Sequence, residues 1–426
     1  MTTTTRRPAP RNRPQAAPRP EPRPTIAVVP VRRLFAAEGG NYFLLLGVTL
    51  FMVVFGLVMV LSSSTIESYS DDGDFFSRFL RQGLFAVLGI PLMLVASRMP
   101  PRFWKRWAWP ALLVGGALQL LVFTPLGFES GGNRNWLNIG GNLMQPSEFV
   151  KIALIVWVAW VFSTKQDLLD DWRHVLLPVA PVALAAIGFV LVGSDLGTAF
   201  VMIMIVFGTA FFAGVRLKYL AVALAVIAAF GFLMSKASPS RTNRIEVWLN
   251  GCTANDYSGY CWQPEHANWA LAAGGLFGKG LGNSVAKWNW LPAASSDYIF
   301  AIIGEELGLI GAVVVLVLFV VLAIAFVRVI RSTRDTFARI TTSGVMVWVI
   351  GQAFVNIAVV LGVLPVLGVP LPLISAGGSA LISTLLGIGI VLSFARGRTG
   401  PPDAPVGQSP AERSRMLAAQ RVRSAR

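Results

Sequence analysis

Leu291-Pro-Ala-Ala-Ser-Ser-Asp-Tyr-Ile-Phe-Ala-Ile-Ile-Gly-Glu-Glu-Leu-Gly308 opens a segment that is otherwise apolar through Val327. About 20 apolar residues cross the ~30 Å hydrocarbon core of a bilayer, so this run reads as a long membrane helix with three carboxylates, Asp297, Glu305 and Glu306, at its mouth. An ionisable group at membrane depth is costly unless it is paired or wet. Asp297 is either a helix cap at the aqueous edge or a general base. Glu305 and Glu306, two turns deeper, read as polar partners between helices.

The rest of the chain is of the same kind. Its 426 residues are 54% hydrophobic and only 13% charged, with mean hydropathy +0.63, the profile of a polytopic membrane protein. Ten apolar stretches are long enough to cross: 41–62, 79–97, 105–123, 147–163, 175–193, 196–214, 218–235, 297–327, 342–364 and 373–395. The fold class is therefore an all-α membrane protein of ten transmembrane helices, with one large extracytoplasmic loop, 236–296, between spans seven and eight. Most of the 36 Lys and Arg fall on one side of this arrangement, which places both termini in the cytoplasm. Residues 1–40 form a Pro/Arg-rich tail expected to be disordered, and 397–426 a second basic tail; each is either a partner-binding tail or a plain solvated one. The first span, 40 residues in, reads as retained and not as a cleaved signal. The net charge of +15 is spread over tails and loops, which suits anionic membrane lipid and gives no footprint for nucleic acid.

Loop 236–296 is too long for a plain connector. It holds both cysteines, Cys252 and Cys261, nine positions apart, either as a disulfide closing a hairpin or as two free thiols. A candidate short helix carries Arg241 and Arg244, and a glycine-rich run, Gly274-Gly-Leu-Phe-Gly-Lys-Gly-Leu-Gly282, brings Lys279, with Lys287 close behind. Its tryptophans suit the headgroup zone.

Four further constellations carry polar chemistry. Glu148 and Lys151 share a helical face at i,i+3 in Gln145-Pro-Ser-Glu-Phe-Val-Lys151, as a self-neutralising pair or as the wall of a wet cavity. Asp195, in Ser194-Asp-Leu-Gly-Thr198, is a helix cap or a site residue. Arg134, in Gly131-Gly-Asn-Arg-Asn-Trp-Leu-Asn-Ile-Gly140, positions an anion or decorates a turn. Ser375 and Ser379 end a segment from Leu364 with three prolines and a Gly-Gly pair. Such backbone is tolerated at membrane depth only when buried or lining a cavity. The chain shows no Walker loop, metal-ligand cluster or Ser/His/Asp arrangement. Its two histidines, His174 and His266, exclude histidine-rich catalysis.

In this order, Gln145–Glu148, Ser194–Thr198, Gly274–Gly282, Asp297-Tyr-Ile-Phe with Gly304-Glu-Glu-Leu-Gly308, and Gly368–Ser379 resemble the SEDS family (shape, elongation, division and sporulation; FtsW, RodA, SpoVE) over roughly 41–396. The run Lys287-Trp-Asn-Trp-Leu-Pro292 is more similar to the FtsW branch than to RodA, and the tails and cysteine pair resemble its actinobacterial members. The resemblance implies a peptidoglycan glycosyltransferase in the bacterial cytoplasmic membrane, at the division septum. It would polymerise lipid II at the outer face, working with a class B penicillin-binding transpeptidase and other division proteins. It carries the family's required aspartate onto Asp297 and its cavity residues onto Glu148, Lys151 and Asp195. Two departures stand out. Pro292-Ala-Ala-Ser-Ser296 lacks the polar groups usual before the aspartate, and Asn135-Trp136 replaces an Arg-Trp pair, with Arg134 one place earlier.

The implied chemistry is inverting glycosyl transfer, with Asp297 as base. Lys279, Lys287, Arg241 or a divalent cation such as Mg or Mn would offset leaving-group charge; nothing calls for an organic cofactor. The alternatives are a lipid II flippase, a RodA-like elongation polymerase, or a scaffold acting through its tails.

Overall fold

The structure, a computed structural model, describes residues 39–130, 133–236, 239–252 and 259–396. The tails expected to be disordered lie outside them. Ten helices of 18 residues or more follow the ten apolar stretches: α1 (Gly40–Asp72), α2 (Ser77–Ala96), α3 (Pro101–Leu121), α4 (Pro146–Thr164), α5 (Trp172–Val192), α6 (Leu196–Ala213), α7 (Leu217–Lys236), α10 (Ile299–Ser332), α11 (Thr336–Val360) and α12 (Gly378–Ala395). Between α7 and α10 lie α8 (Pro239–Asn250) and α9 (Trp262–Gly274). Among the described residues eight helices combine the length and apolarity needed to cross a membrane. α3 opens with Arg102, Lys105 and Arg106, and α7 counts only as a shorter apolar helix, Leu217–Ala229. Helices α4, α11 and α12 are the most enclosed, while α2 and α5 turn most of their surface outward.

The chain is not wholly helical. After α3 come β1 (Gly127–Ser130), β2 (Asn133–Ile139) and β3 (Asn142–Met144), an antiparallel sheet in the order β1-β2-β3. Gly140 and Gly141 form a two-residue turn with φ of 59° and 83°, positive at both central positions as a hairpin of this twist requires. The Asn138 side chain accepts from Gly141 N at 3.0 Å. Three short strands give too few alternations to stand out beside ten long apolar runs. The sheet is anchored by Arg134 N and Asn135 Nδ2, both donating to Gly193 O at 3.0 Å, at the turn between α5 and α6.

Two helix limits also differ from the hydropathy reading. α1 continues past residue 62 to Asp72, because its polar last turns pack on protein: Ser62 Oγ donates to Glu306 at 2.5 Å and accepts from Gly282 N at 3.0 Å. α12 begins at Gly378, not 373, leaving 361–377 irregular apart from turns.

α10 is broken at Gly308, whose φ of 70° and ψ of −166° interrupt the helix. The carbonyls of Glu305 and Glu306 accept instead from Lys279 N (3.0 Å) and Gly280 N (2.9 Å) of the glycine-rich run. Leu309 N and Ile310 N, which would have bonded those carbonyls, donate to Gly275 O (2.9 Å) and Leu276 O (3.3 Å). The run therefore inserts like a strand into the opened helix and satisfies these four groups, as membrane depth demands. The approach needs bare backbone, since a Cβ on Gly278 would overlap the Glu306 carbonyl. The glycine run is thus a structural splice.

Gly308→Ala should accordingly lower the thermal midpoint of the solubilised protein by several degrees, from strain on the order of 1–3 kcal/mol. Gly47→Ala, which points into open space, should leave it unchanged. Equal midpoints for both variants would contradict the splice.

Candidate active site

Asp297 lies outside the spanning helices, two residues before α10. Its loop is tightly fixed. Ser296 N and Tyr298 N both donate to Ala293 O (3.1 and 3.2 Å), and Ala293 itself has φ 57°. Asn356 Nδ2 of α11 donates to Asp297 O at 2.7 Å and to Val369 O at 2.8 Å. Ser375 Oγ donates to Ser296 O at 2.6 Å and accepts from Leu371 N, and Ala376 N donates to Ser295 O at 2.9 Å. Ser295 Oγ reaches Glu67 of α1 at 3.1 Å, and Glu67 is paired with Arg78 of α2 at 2.5 Å.

The irregular segment that faces this loop draws its hydrogen bonds from intramembrane amides. Gln82 of α2 donates to Ser375 O and accepts from Gly377 N (3.2 and 3.1 Å), and Gln352 donates to Pro370 O at 2.9 Å. Gly368, with φ 69°, lies against the carboxylate; a Cβ there would stand 3.6 Å from Asp297 Oδ2.

The deeper wall is closed. Lys151 Nζ binds Glu148 at 2.9 Å and Gln352 Oε1 at 3.1 Å, and lies 4.9 Å from the Trp348 ring centroid. Glu148 also accepts from Ser383 of α12 at 3.1 Å. Glu148 and Lys151 are 2% and 1% exposed, so the pair joins α4, α11 and α12 as a neutralised unit, the first of its two readings. Asp195 caps α6, accepting from Thr198 N at 2.8 Å, and its other oxygen accepts from Gln145 Nε2 at 2.9 Å. Ser379 accepts from Gln145 N at 3.2 Å. Ser375 and Ser379 thus staple backbone beside the site.

The proposed anion-holding cations are placed differently. Lys279 binds Glu305 at 2.7 Å, and Glu305 also accepts from Ser284 Oγ, Val285 N and Ala286 N. Lys287, 6% exposed, donates to Gly282 O, Ser62 O and Glu306. Both lysines pair with the α10 glutamates. Arg134 is exposed and donates to Thr124 O at 3.0 Å within its own loop. The Arg241 side chain lies outside the described residues. Cys252 and Cys261 form a disulfide.

Asp297 stands apart from all of these. It is half-buried, and among the described residues no side chain or backbone group hydrogen-bonds or ion-pairs its carboxylate. Burial, and then the charge of nearby Asp195, push its pKa up to about 6. Asp195 is likewise raised, chiefly by burial. The result is one unpartnered, basic carboxylate in a rigid frame. Among the described residues no group of three or more His, Cys, Asp or Glu is placed to hold a metal ion. Gln82, Gln145, Gln352, Asn356 and Glu67 were missed by the sequence reading. For the first, third and fourth the signal was present: an amide inside an apolar span carries the same demand for partners as a charge.

The chain matches the family described as Cell cycle protein, which groups FtsW, RodA and SpoVE, over residues 42–400. It belongs to this family. A relative from Mycobacterium tuberculosis, "Probable peptidoglycan glycosyltransferase FtsW", is 39% identical over 84% of this chain and 68% of its own length. "Stage V sporulation protein E" of Bacillus subtilis is 34% identical over 83% of this chain and 96% of its own. Among solved structures, the fold is similar to a chain from "Structural coordination of polymerization and crosslinking by a peptidoglycan synthase complex" (TM-score 0.68, 26% identity, 83% of this chain and 96% of that one). It is also similar to Thermus thermophilus RodA (TM-score 0.62, 26% identity, 84% and 97%).

Removing one partner of a buried pair strands the other charge. Lys151→Met should cost ~3–5 kcal/mol, and adding Glu148→Gln should restore most of it in thermal melts. A double variant no more stable than the single would argue against the pairing.

Proposed function

We propose that this family member is a peptidoglycan glycosyltransferase that polymerises lipid II at the outer face of the cytoplasmic membrane during cell division. The names of its relatives support the activity, and the unpartnered Asp297 carboxylate carries its assignment to a site. On this reading all ten long helices cross the membrane, both termini are cytoplasmic, and α8, α9 and the sheet lie outside.

The acceptor's GlcNAc 4-hydroxyl oxygen attacks C1 of the donor MurNAc, whose bond to the pyrophosphate oxygen breaks with the electron pair leaving on undecaprenyl pyrophosphate. The hydroxyl proton passes to Asp297. Configuration at C1 inverts, because the nucleophile enters opposite the leaving group. Among the described residues the other buried carboxylates near the site accept from lysines, hydroxyls or amides, which leaves Asp297 open to take a proton. The frame of Asn356, Ser375 and Gly368 holds it without titrating with it, which is what general-base catalysis asks of its supports. A divalent cation enters this proposal only through the substrate's phosphates. The unpartnered oxygens of Asp297 are the protein group that would hold it, in the manner of magnesium sites built on one or two carboxylates and substrate oxygens. When bound it would offset leaving-group charge.

A partner transpeptidase is part of the proposal, supported by a related fold occurring in a complex described as coordinating polymerization and crosslinking. The closed Glu148–Lys151 wall favours an enzyme over a translocase, which needs polar groups open to a path at mid-membrane.

Two measurements test this. With purified protein, its transpeptidase partner and labelled lipid II, Asp297→Asn should reduce glycan-chain formation by ~10²–10⁴-fold with its melting point retained; near wild-type polymer from the folded variant would end the assignment. A base works deprotonated, so kcat/KM should fall as pH drops through about 6. Asp195→Asn, which removes the charge that raises Asp297, should move that limb to lower pH.

A further inference from the structure

Once Lys279 and Lys287 are assigned to the glutamates of α10, the proposed site lacks a cation for its leaving group. The structure supplies one. A cavity of about 380 Å³ lies between α8, the start of α9 and the Asp297 region, lined by Arg244, Tyr260, Trp262, Gln263, Pro292 and Val366. That volume falls in the ~300–1,000 Å³ range of small-molecule sites. Among the described residues no carboxylate lines it. Arg244 makes no ion pair among the described residues; its one contact is a long hydrogen bond, 3.4 Å, to Val366 O. The Tyr260 hydroxyl and the Gln263 amide, also without hydrogen-bond partners among the described residues, add further donors. A guanidinium and two neutral donors, with no acid beside them among the described residues, make the cavity complementary to an anion.

Its position relates it to Asp297. Val366 lies two residues before Gly368, which stands against the aspartate. Pro292 begins the turn that presents Asp297. The buried phenol of Tyr298, 1% exposed and without a hydrogen-bond partner, is within electrostatic reach of both Asp297 and Arg244. The cradle is also braced. Trp248 Nε1, one helical turn from Arg244, donates to Gly362 O at 3.1 Å and pins α8 to the end of α11. The Cys252–Cys261 disulfide ties the end of α8 to the start of α9, beside Tyr260.

We infer that the Arg244 cavity is the pyrophosphate subsite, which binds the diphosphate of a polyprenyl-linked donor with the Arg244 guanidinium as its cation. The inference rests on the glycosyltransferase reading and names the group that stabilises its leaving group. The departing diphosphate gains negative charge as C1–O cleaves, and a preformed cation at that spot lowers the barrier. The planar guanidinium suits two phosphate oxygens at once, which a lysine ammonium does not match.

The test uses full-length protein in nanodiscs, with undecaprenyl pyrophosphate as the binding probe and lipid II as substrate. Arg244→Ala should weaken binding of undecaprenyl pyrophosphate about tenfold or more, and Arg244→Lys should restore part of it. Lipid II polymerisation by Arg244→Ala should fall, with KM raised. The melting point and the intact Cys252–Cys261 bond serve as folding controls, and Gln263→Ala is the milder variant should Arg244→Ala misfold. Wild-type binding by Arg244→Ala, while the wild type still polymerises, would overturn the subsite and leave the activity standing. Arg244-dependent binding in a protein that never forms polymer would keep the subsite and overturn the activity. Displacement of the probe by phosphatidylglycerol at matching concentration would make the cavity a lipid-headgroup site and overturn the proposal.

Discussion

Backbone that leaves the helix inside a low-dielectric slab must find new hydrogen-bond partners, and this protein is organised around meeting that demand twice. At Gly308 the helix opens and the glycine-rich run enters it, exchanging four hydrogen bonds. Between α11 and α12 the proline-rich segment is held by Gln82, Gln352, Asn356 and Ser375. Each unsatisfied group in hydrocarbon would cost several kcal/mol, so these two repairs are conditions of the fold. The site is a by-product of both. The first places α9 and the loop before α10, and the second provides the surface against which Asp297 is held.

The same constraint sorts the charges. Glu305 with Lys279, Glu306 with Lys287, and Glu148 with Lys151 are neutralised pairs that hold elements together, each with additional hydrogen bonds. Such pairs contribute little net stability and impose a particular arrangement. Asp195 lies between the two kinds: it caps α6 and also raises Asp297 by its charge. Asp297 and Arg244 have no ionic partner among the described residues.

Asp297 stood out in the sequence because an acid at the mouth of an apolar helix has few bland explanations, and Glu305 and Glu306 were correctly separated from it by depth. Lys279 and Lys287 are near Asp297 in sequence, and the structure pairs them with Glu305 and Glu306, about two helical turns further on. Arg244, about 50 positions upstream, carries no local mark of its role. The sheet went unread because its alternating stretches are only three to seven residues long, although the Gly140-Gly141 pair was a turn signal.

By itself, then, the sequence determined the membrane architecture, the helix order, the irregular segment after α11 and the identity of the one exceptional carboxylate. Those properties follow from transfer energies and backbone preferences, which act on neighbours along the chain. Only the tertiary structure decided which charges are paired and how the glycine run is used. Pairing and cavity shape depend on distances between residues far apart in the chain, as with Glu148 and Ser383, 235 positions apart. No local energy term records those distances until the helices have packed.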